Sequence, residues 1–486
     1  MRIIEKILKK GEIIMNEITV IDILIVVAYL FGMLAIGIHF VKRVRNREDF
    51  YAADHSLSTP IMLATVCATI IGGSSMMGRA GLGYTKGIEC LMTALPYMIG
   101  MFLFSAYAGR IYDMGEKHGI SSIPSLFEFR FGKASKIIIA VMIAFAMMGT
   151  VASQVTATAT IIKLMGSSVG ISYELGALIA TVIFIIYTGA SGLFGVVYTD
   201  VLQFFMLVLF VYIMVPVASI SQIGGLHEFI SQIDTSYLIP KVDGRLMGDI
   251  VSYLVITMAG AEMWQRAFAA KNRRAAKRGM FLGTAVYAVC VCMILVMAMA
   301  ARQLLPDLVE KYGSTDAVIP ALTVISLPAG LTGLALAGIF SVMMSTADSY
   351  LLVSMQTVVD DIVKTVKPDM SEKTELLISR IMSVVLAFSA LGIALYIKSA
   401  YTILTTIYNF YAAAAGIPAL AALYWKKATS AGIISSVLGG FITCAIWRAA
   451  GSPLGLGPTL PGAAVCLILL VAVSLLTCKK NPSVQV

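Results

Sequence analysis

Long apolar runs dominate this chain and recur from about residue 18 to residue 477. A helix needs about 20 consecutive apolar residues to cross the hydrocarbon core of a bilayer, and these runs have that length. Only 13% of the 486 residues are charged, about half the fraction found in a soluble protein. The sequence therefore predicts an all-α polytopic membrane protein with about 13 transmembrane helices, one of which covers residues 318–352.

The loops between these spans differ in charge, and the difference predicts the orientation of the protein. Lys and Arg concentrate in segments 42–48, 110–136, 266–278, 364–380, 426–427 and 479–480. With about 13 spans these segments all lie on one side, and cytoplasmic loops are the ones that collect Lys and Arg. We expect the N-terminus outside and the C-terminus in the cytoplasm, in an inner or plasma membrane. The basic segment 1–14 disagrees, which favours Met15 over Met1 as the start. The alternative is that this segment forms a short amphipathic stretch on the membrane surface.

Composition and motifs exclude several classes of function. The net charge of +9 reflects basic cytoplasmic loops, so nucleic acid is not expected as a partner. The seven cysteines lack paired spacing and the four histidines are scattered, so neither disulfides nor a metal cluster is predicted. The sequence contains no recognisable enzyme motif. We expect a protein that is surrounded by lipid, is not an enzyme and has no obligatory protein partner.

Two of the predicted spans contain residues that interrupt helices. The first carries GGSS at residues 72–75, and adjacent glycines weaken a helix by about 1 kcal/mol each relative to alanine. The second carries MAGAE at residues 258–262 and lies five spans later. Interrupted helices at corresponding positions of two halves are typical of transporters with inverted repeats. For the first segment, close packing of small residues against a neighbouring helix is the alternative.

This spacing predicts how the chain is organised. We expect residues 57–221 to form a first five-helix repeat and residues 246–424 a second one, with an external loop at 222–245 between them. Residues 1–56 would then be an N-terminal extension with an extra helix, and residues 425–486 two additional helices and a cytoplasmic tail.

The segment SVMMSTADSYLL places polar side chains in an otherwise apolar span. Four of them follow helical spacing and share one face, namely Ser341, Ser345, Asp348 and Ser349. A carboxylate at the bilayer centre costs about 2.5–3.5 kcal/mol, so a functional role is its default explanation. Oxygen ligands alone suit a hard cation, and Asp200 is a second candidate carboxylate. The alternative is that the hydroxyls donate to their own i−4 carbonyls while Asp348 pairs with a basic residue.

Four segments of the chain resemble the sodium:solute symporter family, which includes proline, pantothenate, sialic acid and sodium–glucose transporters. They are GGSSMMGRAGLGY (72–84), GASGLFGVVYTDVLQ (189–203), WQRAFAAKNRRAAKRG (264–279) and MMSTADSYLL followed by VVDDIVK (343–364). The resemblance covers the chain from about residue 18 to residue 477. It implies a sodium-coupled symporter that imports a small organic solute by alternating access. It also implies a LeuT-like fold, an inverted-repeat core of ten helices with broken first and sixth core helices, preceded by one helix and followed by two.

The resemblance further implies where sodium binds. The main site would use the Ser345 and Thr346 hydroxyls with the backbone carbonyls of Ala68, Ile71 and Val342. Some members of the family bind a second sodium, and the matching positions here are Asp200, Thr346, Asp348 and Ser349. Sodium would then be the coupling ion.

The substrate is expected at mid-depth between the two broken helices. The candidate residues are Ser74, Ser75, Gln154, Tyr253, Glu262 and Tyr408. We expect Arg79 near the outer end of the first broken helix, where it would attract an anion, and a helix N-terminus exposed at the break favours a carboxylate. An amino acid, a small organic acid or a vitamin would fit.

Other functions stay open at this point. A sugar is less expected, because sugar-transporting relatives carry Asn and Tyr where Tyr253 and Ile256 stand. A proton-coupled transporter is the alternative if Asp348 or Asp200 titrates. A membrane sensor would normally need an appended signalling domain, which the sequence does not show.

Overall fold

A computed structural model describes residues 18–41, 55–166 and 170–478 of the chain. Within those ranges the protein is helical, apart from an isolated bridge between Leu57 and Ala270. The predictions about Met1, Met15, the basic segments 1–14 and 42–48 and the tail at 479–480 fall outside the described residues.

The helices are numbered in chain order, and short 3-10 and π turns join several of them. Their bounds are α1 Val20–Val41, α2 Thr59–Ile70, α3 Gly73–Lys86, α4 Glu89–His118, α5 Ile123–Phe131, α6 Lys133–Met165, α7 Tyr173–Met206, α8 Val215–Ile223, α9 Leu226–Ser231, α10 Gly244–Ile256, α11 Ala261–Phe268, α12 Arg273–Leu304, α13 Leu308–Tyr312, α14 Val318–Ser326, α15 Leu331–Gln356, α16 Lys364–Val366, α17 Glu372–Ile397, α18 Ala400–Tyr411, α19 Ile417–Tyr424, α20 Ser430–Ala449 and α21 Thr459–Thr477.

Among the described residues, 10 helical segments are long and apolar enough to cross a membrane, or 11 if α2 and α3 count as one bent span. Shorter apolar helices lie at Val20–Ile36, Tyr173–Thr188 and Thr315–Ser326. The all-helical membrane fold is confirmed, and the count of about 13 spans stays a prediction.

The predicted single span at 318–352 was wrong, because the chain forms two helices there. Helix α14 ends at Ser326 and α15 begins at Leu331. Between them Pro328 lacks the N–H that a continuous helix needs, and Gly330 has φ +83, a left-handed conformation that favours glycine. The polar segment SVMMSTADSYLL therefore lies on α15, which is a separate helix with its own N-terminus.

The first predicted helix break is present. Helices α2 and α3 meet at an angle of 54°, and Gly72 between them has φ +23, which side-chain-bearing residues rarely adopt. At Gly73 a Cβ would lie 2.2 Å from Cγ of Met343 on α15. The two glycines therefore have different roles. Gly72 adopts the backbone conformation of the bend, and Gly73, which has no side chain, allows α3 to pack closely against α15.

The second predicted break is also present, between α10 and α11. The chain passes through a 3-10 turn at Thr257–Ala259 and an extended Gly260 (φ −60, ψ 92). The Tyr411 hydroxyl donates to the Ala259 carbonyl at 2.6 Å, and Trp264 Nε1 donates to the Met258 carbonyl at 3.1 Å. Backbone freed from a helix inside a membrane protein needs such partners, and these side chains supply them.

Helix α15 forms the centre of the protein. The apolar stretch that qualifies it as a membrane span is completely buried, and it packs against α1, α2, α6 and α7. Its N-terminus is capped from α1, where Asp22 Oδ1 accepts hydrogen bonds from the Gly330 and Gly333 amides at 2.8 Å each. The polar segment of α15 is thereby held in the interior, away from lipid.

Candidate functional site

The hydroxyls of α15 meet the backbone of α2 just before the first helix break. Ser345 Oγ donates to the Ala68 carbonyl at 2.9 Å, and Thr346 Oγ1 lies 3.5 Å from the Thr69 carbonyl. The Thr346 hydroxyl is also 3.5 Å from the point where a Cβ on Gly72 would stand. Since the last four carbonyls of a helix lack partners within it, this end of α2 presents oxygen atoms to α15.

The remaining predicted members of the main sodium site share this location. Ile71 caps the end of α2, with its N–H bonded to the Cys67 carbonyl at 3.1 Å. Val342 lies one helical turn before Thr346 on α15, and both are buried. Their candidate ligands are backbone carbonyls, so the placement depends on the backbone alone.

The alternative explanation for the hydroxyls, bonding within their own helix, applies only in part. Ser341 Oγ donates to the Gly338 carbonyl at 2.6 Å and Ser354 Oγ to the Tyr350 carbonyl at 2.8 Å, so these two serines do satisfy α15 itself. Ser345 and Thr346 instead point across to α2. Among these hydroxyls, those of Ser345 and Thr346 are therefore the ones that face the break.

A buried guanidinium lies among the residues proposed for a second sodium. Arg266 on α11 is fully buried, and its Nη2 is 3.4 Å from Asp200 Oδ2 and 2.7 Å from Ser349 Oγ. It also donates to the hydroxyls of Thr65 at 3.0 Å and Thr69 at 2.6 Å. Asp200 therefore already faces a positive charge in this conformation.

Asp348 has a different environment. Thr188 on α7 donates to its Oδ1 at 2.5 Å, whereas its Oδ2 is buried without a hydrogen-bond partner among the described residues. No basic residue within the described ranges forms an ion pair with it, so the alternative of a basic partner does not hold for Asp348. Two buried carboxylates thus share one neighbourhood with one guanidinium, and Asp348 is the carboxylate left without it.

Two of the predicted substrate residues bond to each other. Gln154 on α6 accepts from the Ser74 amide at 3.1 Å and donates to Ser74 Oγ at 2.6 Å. Ser153 Oγ also donates to Ser74 Oγ, at 2.9 Å. Gln154 thereby accepts a hydrogen bond from one of the first amides of α3. The first four amides of a helix have no acceptor within it.

Three further candidates surround Arg79. Ser75 accepts a hydrogen bond from Arg79 Nη1, the Tyr253 ring lies 5.3 Å from the guanidinium carbon, and Tyr408 packs edge-on against Tyr253 with ring centroids 5.6 Å apart. Arg79 itself is only 3% exposed. It lies inside the bundle on the second turn of α3, and its place relative to the outer end of the span stays a prediction.

The last candidate, Glu262, lines a cavity beside the second break. Its Oε1 accepts from the Tyr350 hydroxyl at 3.2 Å, and its Oε2 is buried without a partner among the described residues. Tyr97, Thr150 and Tyr408 line the same cavity. In this conformation it has room for about one water molecule, so a solute enters only when helices move.

Comparison with known proteins agrees with this geometry. The family model described as "Sodium:solute symporter family" matches residues 50–440. The chain belongs to the sodium:solute symporter family. Its relatives include the osmoregulated proline transporter OpuE of Bacillus subtilis (strain 168), 24% identical with 94% of each chain covered. Another is the sodium/pantothenate symporter of Haemophilus influenzae, 24% identical with 88% of this chain and 89% of the relative covered.

A solved structure supports the fold. The substrate-bound, outward-open form of a Na+-coupled sialic acid symporter aligns over 96% of this chain and 99% of its own, with a TM-score of 0.80 and 18% identity. The chain described here therefore has the LeuT-like helical fold. As a family member it is an integral protein of the plasma membrane, a transporter and not an enzyme, and it couples transport of a small solute to sodium.

Sequence reasoning missed several residues that organise the symporter's interior. Arg266 was noted only within a basic segment and a family-like motif. The partners that its guanidinium contacts on α2, Thr65 and Thr69, were not noted at all. Thr65 and Thr69 are four residues apart and share a helix face, as do Glu262 and Arg266, and this spacing was the available signal. Thr188 carries no comparable pattern.

Proposed function

We propose that this symporter imports a carboxylate-bearing solute by alternating access, with sodium bound between α2 and α15. The observation that carries the proposal is the 2.9 Å approach of Ser345 Oγ to the Ala68 carbonyl at the first helix break. A hydroxyl and a carbonyl at this separation can turn their lone pairs toward one cation. The Thr346 hydroxyl and the Ile71 and Val342 carbonyls would complete a site of oxygen atoms, which suits a hard cation.

Such a site has a direct mechanical consequence. Helix α2 belongs to the proposed first repeat (57–221) and α15 to the second (246–424), so a cation held by both ties the repeats together. Its release toward the cytoplasm loosens that link. The membrane potential favours inward movement of each charge by about 2.3 kcal/mol per 100 mV, and the sodium gradient adds to this. Together they drive the solute uphill.

A free carboxylate oxygen supports a second cation near Asp348. Asp348 Oδ2 is buried without a hydrogen-bond partner among the described residues, whereas Asp200 faces the Arg266 guanidinium. Asp348 would therefore bind a second monovalent cation beside the one held by Ser345 and Thr346. Sodium and a proton both satisfy this requirement, so a co-transported proton at Asp348 is the second candidate.

The substrate site that we propose lies between the two broken helices. The proline and pantothenate named for the relatives both carry a carboxylate, and Arg79 with the N-terminal half-helix α3 would attract one. Ser75, Tyr253 and Tyr408 would contact the solute directly. Ser74 and Gln154 would fix the conformation of the first break through their mutual hydrogen bonds. Glu262 would face the solute from the second break.

The remaining features are proposals about the whole chain. The N-terminus would lie outside and the C-terminus in the cytoplasm, with lipid around the bundle and no obligatory protein partner. The basic residues from Lys271 to Arg278, after α11, and those at 364–380 would then face the cytoplasm, as the distribution of Lys and Arg requires.

Uptake into proteoliposomes tests the proposed function. Purified protein is reconstituted, and entry of labelled proline, pantothenate and other small carboxylates is measured under an inward sodium gradient, then with choline in place of sodium. We expect sodium-dependent uptake of at least one acid and none of its methyl ester. Equal uptake of the ester would refute the carboxylate requirement.

A second arm distinguishes the ion at Asp348. Asp348→Asn removes the free carboxylate oxygen while keeping the acceptor for Thr188. If a second sodium binds there, the Hill coefficient for sodium falls toward 1 in the variant. If a proton binds there, the wild type acidifies the liposome lumen during uptake and the variant does not.

A further inference from the structure

The outer surface of α4 and α12 carries a groove that none of the proposed sites uses. It has a volume of about 480 Å³ and is lined by Ser105 and Ala106 of α4 and by Lys277, Arg278, Phe281 and Leu282 of α12. Both helices are long and apolar enough to cross a membrane. Because Ala106, Phe281 and Leu282 are exposed, the groove opens toward the lipid that surrounds the bundle.

One end of this groove is basic. Lys277 and Arg278 lie on the second turn of α12, and both are exposed. Neither forms an ion pair within the described part of the chain. The lining contains no acidic residue among those that the structure describes. Two cations therefore stand at the groove without a protein anion to neutralise them.

The start of α12 adds to this positive charge. The helix begins at Arg273, and the free amides of a helix N-terminus carry a partial positive charge that disfavours basic side chains. Five of the eight residues from 271 to 278 are nevertheless Lys or Arg, and of these Arg273 is the one with an acidic partner among the described residues, Asp113 at 3.2 Å. An anion beside Lys277 and Arg278 would be attracted by the side chains and by the helix end together.

The rest of the groove is apolar. Phe281 and Leu282 lie one turn after the two basic residues and are 51% and 40% exposed. The Phe281 ring packs against the Phe102 ring of α4, with centroids 5.3 Å apart. Ser105 Oγ donates to the Phe102 carbonyl at 2.6 Å, so its hydroxyl is satisfied within α4. This part of the surface suits a hydrocarbon chain.

The lysine is positioned where the basic and apolar parts meet. A Cβ on Gly109 would lie 3.0 Å from Cδ of Lys277, so the lysine stem lies against the backbone of α4. Long basic side chains lay their stems along apolar surface and carry the charge to the membrane interface. Since Phe281 lies farther along the span and Lys277 near its end, the ammonium group stands at the level of lipid headgroups.

We propose that this groove binds an anionic phospholipid, with the phosphate on Lys277 and Arg278 and an acyl chain along Phe281, Leu282 and Ala106. Basic pockets between membrane helices bind anionic headgroups. A zwitterionic lipid such as phosphatidylcholine brings its own cation to the basic end, and a soluble anion leaves the apolar part empty. The bound lipid would join α4 to α12, which pack against the halves of both broken helices, and would stabilise that part of the bundle.

Lipid binding to the purified full-length protein tests this inference. The protein is freed of lipid in dodecyl maltoside and titrated with phosphatidylglycerol, phosphatidylcholine or glycerol 3-phosphate. Native mass spectrometry counts the bound lipid, and thermal unfolding follows the stabilisation. We expect phosphatidylglycerol to bind at least tenfold more tightly than phosphatidylcholine. Glycerol 3-phosphate, which has the phosphate without the acyl chains, should bind at least tenfold more weakly than phosphatidylglycerol.

Two double variants with the same change of charge locate the headgroup. Lys277→Gln with Arg278→Gln removes two cations from the groove, whereas Lys271→Gln with Arg274→Gln removes two from the same helix end outside it. Each basic residue near an anionic lipid contributes about fivefold in affinity. We expect the first double variant to lose at least tenfold in affinity for phosphatidylglycerol and the second to lose less than threefold.

A matched pair of variants tests the acyl chain. Ala106→Phe fills the groove without changing its charge, and should weaken binding of phosphatidylglycerol at least fivefold. Ala464→Phe adds the same side chain at an exposed alanine of α21 and should leave the affinity unchanged.

Three results would overturn the proposal. Equal affinities for phosphatidylglycerol and phosphatidylcholine in the wild type would remove the headgroup selectivity, and this comparison does not depend on the folding of any variant. Equal losses in the two double variants would indicate general attraction to a basic helix end. Stabilisation by glycerol 3-phosphate as strong as that by phosphatidylglycerol would indicate a site for a soluble phosphate.

Discussion

The buried pair of Arg266 and Asp200 makes a quantitative prediction about stability. The Arg266 guanidinium is fully buried and donates to three hydroxyls, one carbonyl and the Asp200 carboxylate. The Arg266→Gln variant leaves the Asp200 carboxyl in the interior without its cation. Removal of one partner from a buried pair destabilises a protein by about 3–5 kcal/mol, so we expect a loss of about 4 kcal/mol.

The matching change at Asp200 should be milder. In Asp200→Asn the guanidinium keeps its hydroxyl acceptors and Thr65 keeps an oxygen to donate to, so the loss should be about 1–3 kcal/mol. Combining both variants removes both charges. Because residues in one hydrogen-bond network do not act independently, the double variant should be more stable than the sum of the single losses implies, by about 1–3 kcal/mol.

Unfolding of the purified protein in mixed micelles, followed by tryptophan fluorescence over a denaturing-detergent titration, measures these free energies. Lys398→Met serves as the control, since it removes a pair whose two side chains are about half exposed, and it should leave stability nearly unchanged. Strict additivity of the Arg266 and Asp200 losses, within about 0.5 kcal/mol, would refute the idea that the two charges depend on each other.

Two further predictions concern the scaffold around the site. Gly73→Ala drives a Cβ to within 2.2 Å of the Met343 side chain, so it should destabilise the protein by about 1–3 kcal/mol and slow uptake. Adding Met343→Ala should restore much of the stability and of the uptake rate. No recovery in stability and uptake would contradict the steric explanation. Arg130→Ala removes three hydrogen bonds, of 2.6–3.1 Å, to carbonyls at the end of α19. It should lower the free energy of unfolding by about 3 kcal/mol. The affinity for sodium, measured by equilibrium binding, should not change.

The membrane fold and the hydroxyl pair were predictable because local patterns specify them. Apolar runs of fixed length, paired glycines and a hydroxyl-rich helix face are visible in one stretch of sequence at a time. Ser345 and Thr346 lie beside the end of α2. That position was implied by the family resemblance, and the sodium site there stays a prediction. The interruption of the predicted span 318–352 was missed because Pro328 and Gly330, which indicate it, lie within a continuous apolar run.

The charge arrangement was less predictable, because it depends on which distant helices meet. The sequence shows Asp200 and Arg266 on separate spans, and only the fold brings them to 3.4 Å. The same holds for Arg79, whose burial among tyrosines comes from α4, α10, α12 and α18 together. A charged residue near the end of a predicted span therefore reveals little about its partner until the packing is known.

The central claim is that sodium binds between α15 and the broken end of α2. The most direct test is the sodium affinity of the purified protein, without solute, in wild type, Ser345→Ala and Ser354→Ala, measured by sodium-dependent thermal stabilisation with potassium as the ionic-strength control. Ser354 is the matched control, a buried serine of the same helix that bonds its own Tyr350 carbonyl. We predict that Ser345→Ala weakens sodium binding at least tenfold and that Ser354→Ala leaves it unchanged. Equal sodium affinities in Ser345→Ala and the wild type would contradict the account.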